Sequence, residues 1–191
     1  MPQYKIDPLT IVLFVSLLIA LSVSTVTDLR ARRIPNFITL SMMLIALLVH
    51  GLLSGFAGVL FSLQGIACGM GLLLIPHLLG GMGAGDVKLL AAVGAALGAA
   101  HTFYAFLVIA ILGGLTSIVM LIIRSTCLIT LQRMGNAFLA AFGGVGAAAL
   151  RVDRSTLQRE GIPYGAVIAG GTLAYILYHL IAGKGLPPVG I

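Results

Sequence analysis

The chain has 191 residues, of which 60% are hydrophobic and 8% are charged, and its mean hydropathy is +1.15. A soluble domain carries roughly 25% charged residues because its surface must be solvated. This composition therefore excludes a water-soluble globule and a disordered polymer, which leaves a polytopic membrane protein. At about 20 apolar residues for each helical crossing, the length allows about six transmembrane helices.

Long apolar segments predict these helices in chain order. The first covers 8–27 and ends at a basic cluster, and the later ones cover 37–53, 56–79, 87–100, 101–123 and 162–182. Pro76 is expected to kink or end the third helix, and the glycine-rich sequence GGMGAGD at 80–86 separates the third helix from the fourth. The predicted fold class is an all-α, polytopic integral membrane bundle that forms a single domain over 1–191.

The basic residues predict the orientation of this bundle. With the N-terminus outside, every Lys and Arg except Lys5 and Lys184 lies on the cytoplasmic side. The opposite orientation would invert that distribution, so the positive-inside rule selects the first. The formal net charge of +6 thus reflects membrane topology, and no nucleic acid is expected as a partner.

The segment 124–160 combines arginines with a stretch rich in Gly and Ala at 134–150. That stretch is long enough to cross the membrane, but its glycines make it a poor helix. A crossing would also place Arg151, Arg154 and Arg159 outside. We predict a cytoplasmic loop over 124–160 that contains an interfacial or partly re-entrant segment.

Asp28 and Asp86 differ from the other acidic residues because each lies at the end of a long apolar segment. The predicted topology places both at the cytoplasmic membrane face, on the first and fourth helices. Acidic groups at membrane depth usually face the interior of a bundle. Two carboxyl groups that meet there repel, so one tends to hold a proton while the other stays ionised. Aspartyl proteolysis needs such a pair, because one group takes a proton from water while the other protonates the peptide carbonyl.

Each aspartate also has a structural interpretation. Asp28 could be neutralised by the arginines that follow it, and Asp86 could cap the helix that it precedes. The spacing of the two residues in the sequence does not by itself show that they meet.

Three motifs lie at consistent membrane positions. GAGDVKL at 83–89 contains Asp86, DLRARRIPN at 28–36 begins with Asp28, and IPYG stands at 162–165. The first resembles the G-x-G-D motif of the polytopic aspartyl proteases, with the extension seen in type IV prepilin peptidases. The other two resemble the D-x-x-x-x-x-I-P-N stretch and the I-P-Y/F-G opening of the last helix in the same family. The resemblance covers nearly the whole chain.

This resemblance implies an aspartic-type endopeptidase that removes leader peptides from prepilin-like proteins at the cytoplasmic face of the inner membrane. Asp28 and Asp86 would form the catalytic pair, the partners would be the prepilin-like substrate and membrane lipid, and no metal or cofactor is expected. Gly83 and Gly85 are expected to let the backbone approach an extended substrate closely and to adopt positive φ.

One feature of the long prepilin peptidases is missing from this sequence. The chain has no segment with paired C-x-x-C motifs, which the long members of the family associate with methylation of the new N-terminus. It therefore resembles the short members, which include those of tight-adherence (Flp-type) pilus systems and the archaeal preflagellin peptidases. No methyltransferase activity is expected.

Two other functions are compatible with an apolar chain that carries membrane-depth carboxylates: a small proton-coupled transporter and a non-catalytic subunit of a secretion assembly. Both aspartates lie near one membrane face and no inverted repeat is evident, which disfavours transport. The four histidines are scattered, and His77 lies nearest to the predicted site.

Small residues also predict how the helices pack. G-x-x-x-G spacing lets two helices approach closely, and we expect such contacts within the monomer more than at a dimer interface. Three pairs with this spacing are Gly51/Gly55, Gly65/Gly69 and Gly94/Gly98.

Overall fold

The structure is a computed structural model that describes residues 7–79, 81–123, 164–182 and 185. Its helices are α1 (Pro8–Ala31), α2 (Asn36–Leu78), α3 (Ala84–Ile123) and α4 (Tyr164–Ile181). All four are long and apolar enough to be candidate membrane spans, and the described residues contain no strand. The prediction of an all-helical membrane bundle is confirmed, but the described residues form four helices where the sequence predicts about six.

Two glycines interrupt the two longest helices. Gly55 in α2 has φ 61° and ψ −139°, and Gly98 in α3 has φ 75° and ψ 169°. Glycine tolerates such positive φ values because it lacks a Cβ. Both interruptions fall at or next to a predicted boundary between helices.

At Gly55 the chain turns back on itself. A Cβ on Gly58 would collide with the backbone carbonyl of His50, although eight residues of a straight helix span about 12 Å. A straight helix with the 43 residues of α2 would be about 65 Å long, roughly twice the thickness of the hydrocarbon core. Segments 36–54 and 56–78 are therefore two helical arms joined at Gly55.

The second arm of α2 packs against the first part of α3 through glycines. A Cβ on Gly65 would collide with the Gly94 carbonyl, and one on Gly69 with the Leu90 carbonyl. Ser62 Oγ adds a hydrogen bond to the Ala95 carbonyl at 2.7 Å. The order of these contacts makes the two segments antiparallel, and it confirms close packing within the monomer for these two glycine pairs.

The end of α1 leads directly into α2. Arg32 adopts the left-handed conformation (φ 49°) and its N–H donates to the Asp28 carbonyl at 2.9 Å, which ends α1. This is the single-bond form of a left-handed helix cap. Pro35 then precedes Asn36, the first residue of α2. α1 packs against both α2 and α4, so its buried face lies inside the bundle.

Contacts divide the chain into two compact units. One comprises Met1–Leu112 with Pro163–Ile191, and the other comprises Gly113–Ile162. Of the second unit, the structure describes 113–123, which are helical. The predicted cytoplasmic loop at 124–160 lies outside the described residues. That loop, and the assignment of 1–191 to a single domain, stay predictions.

Candidate active site

Asp28 lies in the last turn of α1 and is only 8% exposed. Its Oδ2 accepts a hydrogen bond of 2.8 Å from the backbone N–H of Gly165, in the first turn of α4. The first N–H groups of a helix have no partner within the helix, so they are free to bind a carboxylate. A Cβ on Gly165 would lie 2.8 Å from the same oxygen and 3.1 Å from Asp28 Cβ. Glycine is therefore required at 165 for this close approach.

Asp86 is the third residue of α3 and is also 8% exposed. Its Oδ2 accepts a hydrogen bond of 3.2 Å from the N–H of Gly83, and its own N–H donates to the Gly83 carbonyl at 3.2 Å. This pair of bonds resembles one half of a capping box, with Gly83 at the N-cap position. Asp86 therefore helps to cap α3, but as the third residue of the helix and not as the residue that precedes it. A capping side chain can do this while exposed to solvent, however, so capping does not explain why Asp86 is buried.

The structure brings the two aspartates into one site. α1 ends and α3 begins at the same end of the bundle, and both carboxyl groups are buried there. Asp28 is buried, whereas Arg30, Arg32 and Arg33 are exposed. The Asp28 carboxyl group therefore lies in the interior of the bundle, next to the start of α4. A buried pair of carboxyl groups can supply a base and an acid to one reaction.

The segment between α1 and α2 contacts the segment that carries Asp86. A Cβ on Gly85 would lie 3.1 Å from Ile34 Cβ, so Gly85 fits directly against Ile34. Lys88 Nζ donates to Asn36 Oδ1 at 2.9 Å. Together with the Gly165 hydrogen bond to Asp28, these contacts bring all three sequence motifs to one end of the bundle.

The expectations for Gly83 and Gly85 need a correction. Neither has positive φ, since the glycines with positive φ in the described residues are Gly55, Gly98 and Gly185. α3 already begins at Ala84, so Gly85 has helical dihedral angles. Its small size serves contact with Ile34, and Gly83 serves as the donor to Asp86. Gly83 is exposed, and contact of either glycine with a substrate stays a prediction.

His77 is a residue whose place at this site the sequence did not establish. Its Nδ1 lies 2.9 Å from the Met82 carbonyl, as donor in the tautomer that carries a proton there. Gly81 N–H donates to the Pro76 carbonyl at 3.0 Å, so two bonds hold the loop before Asp86 onto the end of α2. The position of His77 a few residues before the G-x-G-D motif was the only sequence signal.

The described residues were also compared with the ligand sets that metal ions need. Among those residues, no group of three or more His, Cys, Asp or Glu side chains is arranged to hold a metal ion. The site instead consists of two carboxyl groups, backbone N–H donors and a nearby imidazole.

Apolar helices that can cross a membrane and two buried aspartates at one end define a helical membrane protein with a dicarboxylate site. The sequence model of the type IV leader peptidase family matches residues 12–118, more than half of the chain, including both aspartates. The chain belongs to this family. Searches of the curated proteins and of the solved structures gave no match.

Proposed function

We propose that this protein is an aspartyl endopeptidase that removes the leader peptide from type IV prepilin-like precursors, with Asp28 and Asp86 as its catalytic pair. The observation that carries the proposal is the meeting of three distant segments at these two buried carboxyl groups. Gly165 N–H donates to Asp28 and Gly83 N–H donates to Asp86. Membership of the leader peptidase family supports peptide hydrolysis as the reaction.

The proposed chemistry uses water and the two carboxyl groups. The ionised aspartate takes a proton from water while the water oxygen forms a bond to the scissile carbonyl carbon. The protonated aspartate gives its proton to the carbonyl oxygen, which produces a tetrahedral diol. Collapse of the diol breaks the C–N bond: one diol hydroxyl returns its proton to the aspartate that protonated the carbonyl, and the other aspartate gives its proton to the leaving amine. The pair thereby returns to its starting state.

We propose six crossings with the N-terminus outside and the site at the cytoplasmic face of the inner membrane. The interruptions at Gly55 and Gly98 support this topology, because each divides a helix that is too long for one crossing. The exposed Arg30, Arg32 and Arg33 lie beside the buried Asp28, which agrees with a cytoplasmic position for this end of the bundle.

The proposed substrate is a precursor with a basic leader followed by an apolar helix. Such a helix would enter the same membrane as the enzyme, and its junction with the leader would lie at the depth of the two aspartates. The short form of the chain favours Flp-type or preflagellin-like precursors, and we propose peptidase activity without methyl transfer.

Co-reconstitution of the protein and such a precursor in lipid vesicles tests this function. Cleavage is followed as a mass shift of the precursor, with empty vesicles and an Asp86→Asn variant at matched protein level as controls. The proposal predicts a shorter product with the unchanged protein only. Equal cleavage by the variant would remove Asp86 from the reaction. Proton or solute flux without cleavage would instead support the transporter alternative.

A further inference from the structure

Ser24 is a fully buried polar residue on α1 whose hydroxyl has no hydrogen-bond partner among the described residues. Its neighbours on the same helix behave differently. Thr25 Oγ1 donates to the Leu21 carbonyl at 2.8 Å, and Thr27 Oγ1 donates to the Val23 carbonyl at 2.9 Å. The Ser24 hydroxyl therefore does not use the bond to the preceding turn that those two residues make.

An unpaired hydroxyl in an apolar interior is energetically unfavourable. The hydroxyl gives up its hydrogen bonds to water on folding and gains none in the protein, which lowers the stability of the fold. A serine in a helix can avoid this cost by bonding to the carbonyl four residues earlier. A buried polar group that stays unpaired calls for a functional or solvent-mediated explanation.

The position of Ser24 relative to Asp28 supplies that explanation. The two residues are four apart, so they lie on one face of α1 with a rise of about 6 Å between them. Helical side chains lean toward the N-terminus, which directs the Asp28 carboxyl group toward Ser24. A water molecule that bonds to both side chains at about 2.8 Å would bridge an oxygen–oxygen separation of this size.

We propose that Ser24 positions the water that Asp28 activates. The Ser24 hydroxyl hydrogen-bonds to a water molecule that also donates to the Asp28 carboxylate. Asp28 takes the proton of that water, whose oxygen attacks the scissile carbonyl carbon, and Asp86 protonates the carbonyl oxygen. This inference rests on the proposed peptidase function and adds to it a division of labour between the two aspartates.

Ser62 offers a matched control for the role of Ser24. It is also a fully buried serine, but its Oγ donates to the Ala95 carbonyl, on the neighbouring α3. Loss of the Ser62 hydroxyl removes a hydrogen bond from the folded protein, whereas loss of the Ser24 hydroxyl removes a group without a protein partner. Truncation to alanine should therefore lower stability at Ser62 and should not lower it at Ser24.

The experiment compares Ser24→Ala, Ser24→Thr and Ser62→Ala in vesicles with the prepilin-like precursor, measuring kcat, KM and the thermal midpoint of each variant. Misplacement of a reacting group costs up to about 100-fold in rate. We expect Ser24→Ala to lower kcat by about 10- to 100-fold with KM and Tm unchanged or Tm raised. Ser24→Thr keeps the hydroxyl and should recover kcat, and Ser62→Ala should lower Tm while kcat stays unchanged.

Asp28→Asn is included so that the two proposals fail separately. If Asp28→Asn is inactive and Ser24→Ala keeps the full kcat, the role of Ser24 is wrong and the peptidase function stands. A Ser24→Ala variant that loses Tm together with activity, without recovery in Ser24→Thr, would show a structural role and also overturn the inference. If Asp28→Asn cleaves normally, the peptidase proposal itself fails and the inference falls with it.

Discussion

The backbone N–H of Gly165 donates to Asp28 Oδ2 at 2.8 Å, across a sequence separation of 137 residues. This bond joins the start of α4 to the end of α1. It gives the I-P-Y-G motif a physical role, because the glycine allows a helix N-terminus to reach a buried carboxylate. The position of Asp28 in the site therefore depends on a helix that is remote in sequence.

Gly165→Ala should disrupt this contact, since the added Cβ would lie 2.8 Å from Asp28 Oδ2. We expect the cleavage rate to fall by about 100-fold, because a small displacement of a reacting group has an effect of this size. Gly170→Ala is the control, as a Cβ there meets nothing within 4 Å. A Gly165→Ala variant as active as Gly170→Ala would show that the contact is dispensable.

His77 is predicted to support activity by holding the loop that precedes Asp86. His77→Leu removes the hydrogen bond to the Met82 carbonyl and should lower the cleavage rate roughly tenfold. His77→Asn places a side-chain amide N–H near the position of Nδ1 and should restore part of the rate. The relative rates of the two variants are the measurement. Similar losses in both would assign the effect to the imidazole charge or shape instead of the loop contact.

Gly65→Ala is predicted to destabilise the bundle. The added Cβ would collide with the Gly94 carbonyl, and overpacking of this kind costs about 1–3 kcal/mol in the free energy of unfolding. Gly71 lies on the same arm of α2, and a Cβ there meets nothing within 4 Å. Gly71→Ala should therefore keep or slightly raise stability, because alanine favours the helix more than glycine does. Thermal unfolding in detergent compares the two. Equal stability would contradict close packing of α2 against α3.

The six-crossing topology predicts opposite accessibility for the two ends of the first arm of α2. The two natural cysteines are first removed by Cys68→Ala and Cys127→Ala. In this background, the cysteine of a Ser54→Cys variant should react with a membrane-impermeant thiol reagent added outside intact cells. One introduced as Arg33→Cys should react only after permeabilisation. Labelling of both from the same side would rule out a crossing by this arm.

Several features of the fold and the site follow directly from the sequence. The apolar segments predict the helical membrane bundle, and the glycines in G-x-x-x-G spacing predict close packing of helices, which the structure shows between α2 and α3 at Gly65 and Gly69. Asp28 and Asp86 also stand out in the sequence, because each is a carboxylate at the end of a long apolar segment and each lies in a motif that resembles the family.

Other features depend on three-dimensional contacts that no local pattern encodes. The bond from Gly165 to Asp28 joins two helices that are far apart in sequence, and the lack of a partner for Ser24 appears only when its surroundings are known. The sequence predicts positive φ at Gly85 because glycine permits it, but α3 begins one residue earlier and Gly85 is helical. The small size of Gly85 matters instead, because a Cβ there would lie 3.1 Å from Ile34 Cβ. That glycine can adopt positive φ therefore does not show that a particular glycine does so.

The claim that Asp28 and Asp86 act as one catalytic unit is tested most directly by a double-mutant cycle on the cleavage rate. Asp28→Asn, Asp86→Asn and the double variant are compared with the unchanged protein at matched levels in vesicles. Residues that act as a unit are strongly non-additive, so each single variant should fall to the background rate and the double variant should fall no further. Substantial cleavage by either single variant, or two partial losses that multiply in the double variant, would contradict a shared catalytic site.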